Sequence, residues 1–149
     1  ILLILINSSR ILLKNGIKLS EMDFLGSIEN ISEILHEELN LSNLVITLGK
    51  SGVAISKNDG TFEIIPTFAR DVYDVCGAGD TVMSLLVASL ASGATLYESA
   101  VIANCGASIV VSKKGTASVN TEELTTFLKK LNQYGIKNER SDQQYFERI

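Results

Sequence analysis

The chain has 149 residues, 46% of them hydrophobic and 20% charged, enough for one compact core. A mean hydropathy of +0.24 and a single proline exclude a disordered chain. The net charge of −4 argues against a broad nucleic-acid-binding surface.

Ile1–Ile6 is an apolar run interrupted by Asn7-Ser8-Ser9-Arg10. It is far too short to span a membrane, and no positive charge precedes it as a signal peptide requires. It reads as a buried strand of a larger sheet whose N-terminal part is missing, in a cytoplasmic protein. Residues 7–26 are mixed. A helix is expected from Ser27 as cap, because Ile28, Ile31, Ile34, Leu35 and Leu39 recur at helical spacing. Leu44–Leu48 reads as a buried parallel strand ended by Gly49. Val53–Ser56 and Phe62–Ile65 read as strands joined by the hairpin turn Asn58-Asp59-Gly60, the second stopping at Pro66.

From Asp80 the pattern is helical: Val82, Leu85, Leu86, Ser89 and Leu90 share a face, and Gly93 ends the helix. A second helix, rich in small residues, covers Leu96 to about Ser112. After the loop Lys113–Thr116, Asn120 with Glu123 spells a capping box for a third helix running to about Leu131. Residues 138–149 are polar and read as a tail or linker beyond a domain of residues 1–137. Strand, helix, strand, hairpin and three helices together indicate an α/β sandwich with a mixed sheet.

Chemistry concentrates in Asp74-Val75-Cys76-Gly77-Ala78-Gly79-Asp80-Thr81, a small-residue turn before a helix. Gly77 and Gly79 allow close approach of an anion. The N–H groups of residues 77–80 and the helix dipole favour negative charge there. Asp80 would repel a phosphate, unless it is a base that takes a proton from a hydroxyl while those N–H groups hold the phosphoryl group in transfer. The plain alternative is a tight loop with Asp80 as helix cap. The two cysteines have no metal-ligand spacing and make no disulfide framework. Cys105 reads as core. The one histidine, His36, reads as a solvated or half-buried helix residue, and Lys129-Lys130 as an exposed face.

The segment 74–81 resembles the second signature of the PfkB (ribokinase-like) sugar kinases. Val45-Ile46-Thr47-Leu48-Gly49-Lys50-Ser51-Gly52 is similar to the family's strand and turn beside the nucleotide phosphates. Ala103-Asn104-Cys105-Gly106-Ala107 and Val110–Ala117 resemble further nucleotide-side segments, the latter a loop over the base. The likeness covers residues 1–131. Within the family it is closest to the heptose 7-phosphate kinase domain of ADP-heptose synthesis, through Asp71–Val75, Gly79–Val82, Ala103-Asn104 and Val110–Ser118.

This resemblance implies the C-terminal portion of a ribokinase-like three-layer α/β/α sandwich. It implies ATP-dependent phosphorylation of a sugar, heptose 7-phosphate in the closest likeness, feeding lipopolysaccharide core synthesis. Asp80 would be the base, and Gly77, Ala78 and Gly79 the anion hole. Thr47, Gly49, Gly52 and Asn104 would border the nucleotide, and Asp74 would lie near a monovalent cation such as K⁺. Mg²⁺ would accompany ATP. At the family's N-x-x-E magnesium motif, Asn7 fits but Arg10 replaces the acid. Cys76 stands where Ser or Thr is expected, and Leu85 where many members carry Ala or Gly. A homo-oligomer and a downstream nucleotidyltransferase domain are compatible partners. Two other readings stay open: another PfkB kinase such as a ribokinase or fructokinase, and a truncated chain that binds nucleotide without turnover.

Overall fold

The computed structural model describes residues 2–5 and 24–133. They form β1 (Leu2–Leu5), α1 (Phe24–Leu39), β2 (Asn43–Thr47), β3 (Val53–Lys57), β4 (Phe62–Ile65), α2 (Ala78–Ala91), α3 (Leu96–Val111) and α4 (Thr121–Gln133). The chain divides into two compact units, Ile1–Thr67 and Phe68–Ile149.

The first unit is a four-stranded sheet in the order β1-β2-β3-β4. β1 runs parallel to β2, with Leu3 opposite Val45, whereas β2–β3 and β3–β4 are antiparallel. The sheet is therefore mixed, as the element pattern predicts. Leu44, Val45 and Ile46 are all buried, the mark of a strand covered on both faces. Leu44, Ile46, Leu48 and Ala54 pack with Ile28, and Leu35, Leu41, Phe62 and Ile64 extend that cluster. Burying each large aliphatic side chain contributes roughly 1.5–3 kcal/mol. The hairpin turns where expected, with Gly60 at φ +86° and the Thr61 N–H donating to Asp59 Oδ1 at 2.9 Å.

α1 begins at Phe24, upstream of the expected start, so Ser27 lies within the helix and does not cap it. It ends at Asn40, whose φ of +49° is the left-handed stop that Asn adopts more readily than most residues. His36 is half-buried and fastens this end to the sheet. Its Nδ1 meets Leu41 O at 2.8 Å, and its Nε2 meets Ser56 Oγ at 2.9 Å.

In the second unit α2 packs on α3, and α3 on α4. α3 opens with a capping box that the sequence reading missed. Thr95 Oγ1 accepts from the Glu98 N–H, and Glu98 Oε2 accepts from the Thr95 N–H at 2.6 Å. α3 is buried along most of its length, and Cys105 sits in this core with no exposure, its thiol pushed up to about 12 by burial. Small residues allow the helices to come close: a Cβ on Gly106 would stand 2.1 Å from Leu85 Cδ1. The expected box at α4 is present, since Asn120 Oδ1 accepts from the Glu123 N–H at 2.9 Å and Glu123 Oε2 from the Asn120 N–H at 3.0 Å. Residues 138–149, and Asn7 and Arg10, lie outside the described residues.

Candidate active site

The approach to α2 is built by short-range hydrogen bonds. Tyr73 and Asp74 donate their N–H groups to Val111 O, at the C-terminus of α3, at 2.8 and 3.3 Å. Asp74 Oδ1 accepts the Cys76 N–H at 2.9 Å, closing an Asx turn. Gly77 follows at φ +80°, a left-handed conformation that glycine adopts without penalty. Its carbonyl accepts both the N–H and the hydroxyl of Thr81, each at 3.0 Å, which locks the first turn.

Gly77 is thus the N-cap of α2, and Asp80 is the third helical residue rather than the cap. The helix begins two residues before Asp80, where the periodicity first becomes visible. The Ala78 N–H is drawn back to Val75 O at 3.3 Å, which corrects the expectation that residues 77–80 are all free. Among the described residues no acceptor takes the N–H groups of Gly77, Gly79 or Asp80. Unpaired N–H groups at the positive end of a helix dipole favour an anion by elementary electrostatics. Of the two loop glycines only Gly77 holds a positive φ; Gly79 is an ordinary helical residue. Asp80 is exposed, and among the described residues nothing pairs with its carboxylate. A carboxylate in the first turn stabilises a helix in its own right, and it is equally free to accept a proton.

Thr116, part of the loop expected over the base, was given no role of its own by its sequence, yet it reaches this turn. Its Oγ1 donates to Cys76 Sγ at 3.7 Å, and Cys76 is exposed. Beside it, Lys114 Nζ stands 6.0 Å from the Tyr73 ring centroid. Lys113 is turned the other way, pairing with Glu123 Oε1 at 2.7 Å and donating to Ser118 O at 2.8 Å. That pair, with the Asn120 bond, holds the Glu123 carboxyl below its ordinary range.

Asn104 lies in α3 and is only 4% exposed. Its burial places it behind a surface rather than on one.

In the first unit the three residues of the strand-turn segment have different surroundings. Thr47 closes β2, half-buried and paired with Val53. A short 3₁₀ turn, Gly49–Ser51, follows, and the Leu48 N–H donates to Gly52 O at 2.7 Å. Gly49 is exposed at φ +57°, and a Cβ there would meet nothing within 4 Å. Gly52 is buried at φ +99°, and a Cβ there would stand 2.1 Å from Ile65 O and 2.6 Å from Thr67 N. Gly49 therefore leaves its backbone open to a ligand, whereas Gly52 is a packing requirement of the sheet.

Among the described residues no group of three His, Cys, Asp or Glu side chains could hold a metal ion. Among the described residues nothing takes the second carboxylate oxygen of Asp74 after its turn bond.

Residues 12–123 match the model of the pfkB family carbohydrate kinase. The bifunctional protein HldE of Syntrophotalea carbinolica is 45% identical over 98 residues, covering 66% of this chain and 20% of that protein. The chain spans about a fifth of the length of that curated relative. The crystal structure of ribokinase from Thermotoga maritima matches with a TM-score of 0.65 and 28% identity, over 72% of this chain and 37% of that one. An Arabidopsis thaliana ribokinase complexed with ribose and ATP matches with a TM-score of 0.61 and 20% identity, over 74% and 35%. The fold is thus the ribokinase-like α/β fold, as the signature implies.

Proposed function

The chain belongs to the pfkB family of carbohydrate kinases, and from that premise we propose that it carries the phosphoryl-transfer end of an ATP-dependent sugar kinase acting on heptose 7-phosphate. One observation supports this above the others: an uncommitted carboxylate, Asp80, in the first turn of a helix whose N–H groups at Gly79 and Asp80 are open. Phosphoryl transfer needs little covalent chemistry from the protein and much positioning and charge stabilisation. The N–H groups at the start of α2 stabilise the negative charge on the phosphoryl group in transfer. Asp80 accepts the proton of the attacking sugar hydroxyl, a role that asks for a carboxylate with no competing cation. The positive-φ turn at Gly77 keeps side chains out of the phosphate's path.

Gly49, with Thr47 before it, provides the second, separate stretch of nucleotide-side backbone. Gly52 shapes that stretch from behind. Asn104, buried in α3, is kept as the nucleotide-side residue that the resemblance implies. Asp74 borders a monovalent cation such as K⁺ through its uncommitted oxygen. No step is assigned to Mg²⁺, for which the described residues supply no ligand set. The choice of heptose 7-phosphate, and with it a place in lipopolysaccharide core synthesis in the cytoplasm, is supported by the segments 71–75, 79–82, 103–104 and 110–118 and by the HldE relative. The name of that relative, a bifunctional protein, supports a second activity in the full-length protein, which the family resemblance identifies as a nucleotidyltransferase.

Calorimetric titration of ADP into residues 1–149 tests the phosphate site. Binding is expected in the wild type and is expected to vanish in Gly79→Val, where a branched side chain enters the first turn. An ADP affinity unchanged by this substitution would contradict the assignment. In the enzyme that contains this domain, ADP release should depend on heptose 7-phosphate and not on ribose or fructose 6-phosphate; equal rates with the three sugars would overturn the substrate assignment.

A further inference from the structure

The turn that opens α2 is held by the loop between α3 and α4. Tyr73 and Asp74 hang from Val111 O. Beyond Val111 the chain reverses at Gly115, φ +73°, and brings Thr116 back onto the turn. The two branches of this side chain do different things. Oγ1 donates to Cys76 Sγ at 3.7 Å. The methyl carbon Cγ2 lies 3.9 Å from where a Cβ on Gly77 would stand. A single side chain therefore bonds Cys76 and stands on the open side of Gly77, the two residues that set the left-handed entry into the helix. Its own loop is fastened at Lys113, through Ser118 O and Glu123.

We propose that Thr116 is a positioning residue for the phosphate-binding turn. Its hydroxyl restrains Cys76 and its methyl covers Gly77, so that the N–H groups just behind them keep one arrangement before the anion arrives. This inference rests on the phosphate-binding reading of α2. β-branching suits the task, because it stiffens χ1 and fixes both contacts at once. Serine retains the donor without the methyl, and glycine removes both.

The chain offers a direct probe. Its two cysteines are Cys76, exposed, and Cys105, fully buried, so native iodoacetamide labelling reports on the turn through Cys76. Labelling of nucleotide-free Thr116→Gly should be about fivefold faster than wild type, with Thr116→Ser between the two. The calorimetric ADP dissociation constant should rise about tenfold in Thr116→Gly, of the order expected for losing one hydrogen bond, and less in Thr116→Ser. Thr116 is exposed, so the unfolding midpoint should not move. If wild type fails to bind ADP, the phosphate-binding reading fails and this role falls with it. If wild type binds and Thr116→Gly binds as tightly, only the positioning role is overturned. A weakened affinity with an unchanged labelling rate also overturns it, since the loss would then not pass through the turn.

Discussion

Replacing Gly52 by alanine adds one methyl group in a place that has no room for it. The new carbon would stand 2.1 Å from Ile65 O, 2.6 Å from Thr67 N and 2.7 Å from Pro66 C. All three are backbone atoms, so no rotamer change relieves the overlap. The backbone at φ +99°, ψ −131° is also one that alanine rarely adopts, at a cost of about 1–3 kcal/mol. Overpacking adds about 1–3 kcal/mol. The sum, roughly 2–6 kcal/mol, is a large share of the total stability of a typical domain, about 5–15 kcal/mol. Gly49→Ala is the control: it has a positive φ of +57° but open space around it, so about 1–2 kcal/mol is expected. Urea unfolding followed by circular dichroism measures both. With a slope of about 2 kcal/mol per molar, a loss of 4 kcal/mol moves the midpoint by about 2 M. The reasoning is refuted if Gly52→Ala unfolds within about 1 kcal/mol of wild type, or if Gly49→Ala is damaged as severely.

In the enzyme containing this domain, Asp80→Asn should lower kcat by about 10²–10⁴ with little change in nucleotide affinity, measured by coupled ADP release and calorimetry; turnover near wild type would remove Asp80 from catalysis. The Lys113–Glu123 tie has a pH signature. Because the Glu123 carboxyl is held below its ordinary range, first by its hydrogen bond with Lys113, the folded state binds that proton less readily than the unfolded chain. The stabilisation is present above the ordinary glutamate range and is lost as pH falls through the lowered folded value. Acid unfolding of Lys113→Met should therefore differ from wild type near neutrality and converge with it well below pH 4. A difference that persists at the lowest pH would argue against the ion pair.

Much of this fold is legible because local rules and tertiary packing agree. Asn58-Asp59-Gly60 turns the hairpin by its own chemistry, and Asn120 with Glu123 caps α4. The start of α1 was misplaced because Ser27 reads as a cap, whereas the helix begins at Phe24, where Phe24, Leu25 and Gly26 carry no capping signal. The signature 74–81 located the glycine turn that opens α2, yet the conformations within it depend on backbone angles that the letters do not carry. Gly77 and Gly79 look alike in sequence, but one is left-handed and the other helical. Gly49 and Gly52 look like one motif and differ because Ile65–Thr67, distant in sequence, pass against only the second. The bond from Thr116, a residue of the loop 110–117, to the turn was not legible for the same reason: Cys76 lies forty positions away in the chain.

Leu85 points its Cδ1 at Gly106, so that a Cβ there would require the leucine to turn aside. The two positions therefore share one volume across the α2–α3 contact. This links their histories. Alanine enters at 106 most easily after 85 has become small, whereas in the reverse order the flexible end of Leu85 must first turn aside. A lineage holding the large-small arrangement and one holding the opposite arrangement are connected through an underfilled pair. Each residue is then neutral or harmful according to its partner, and a substitution tolerated in one kinase of this family need not be tolerated in another.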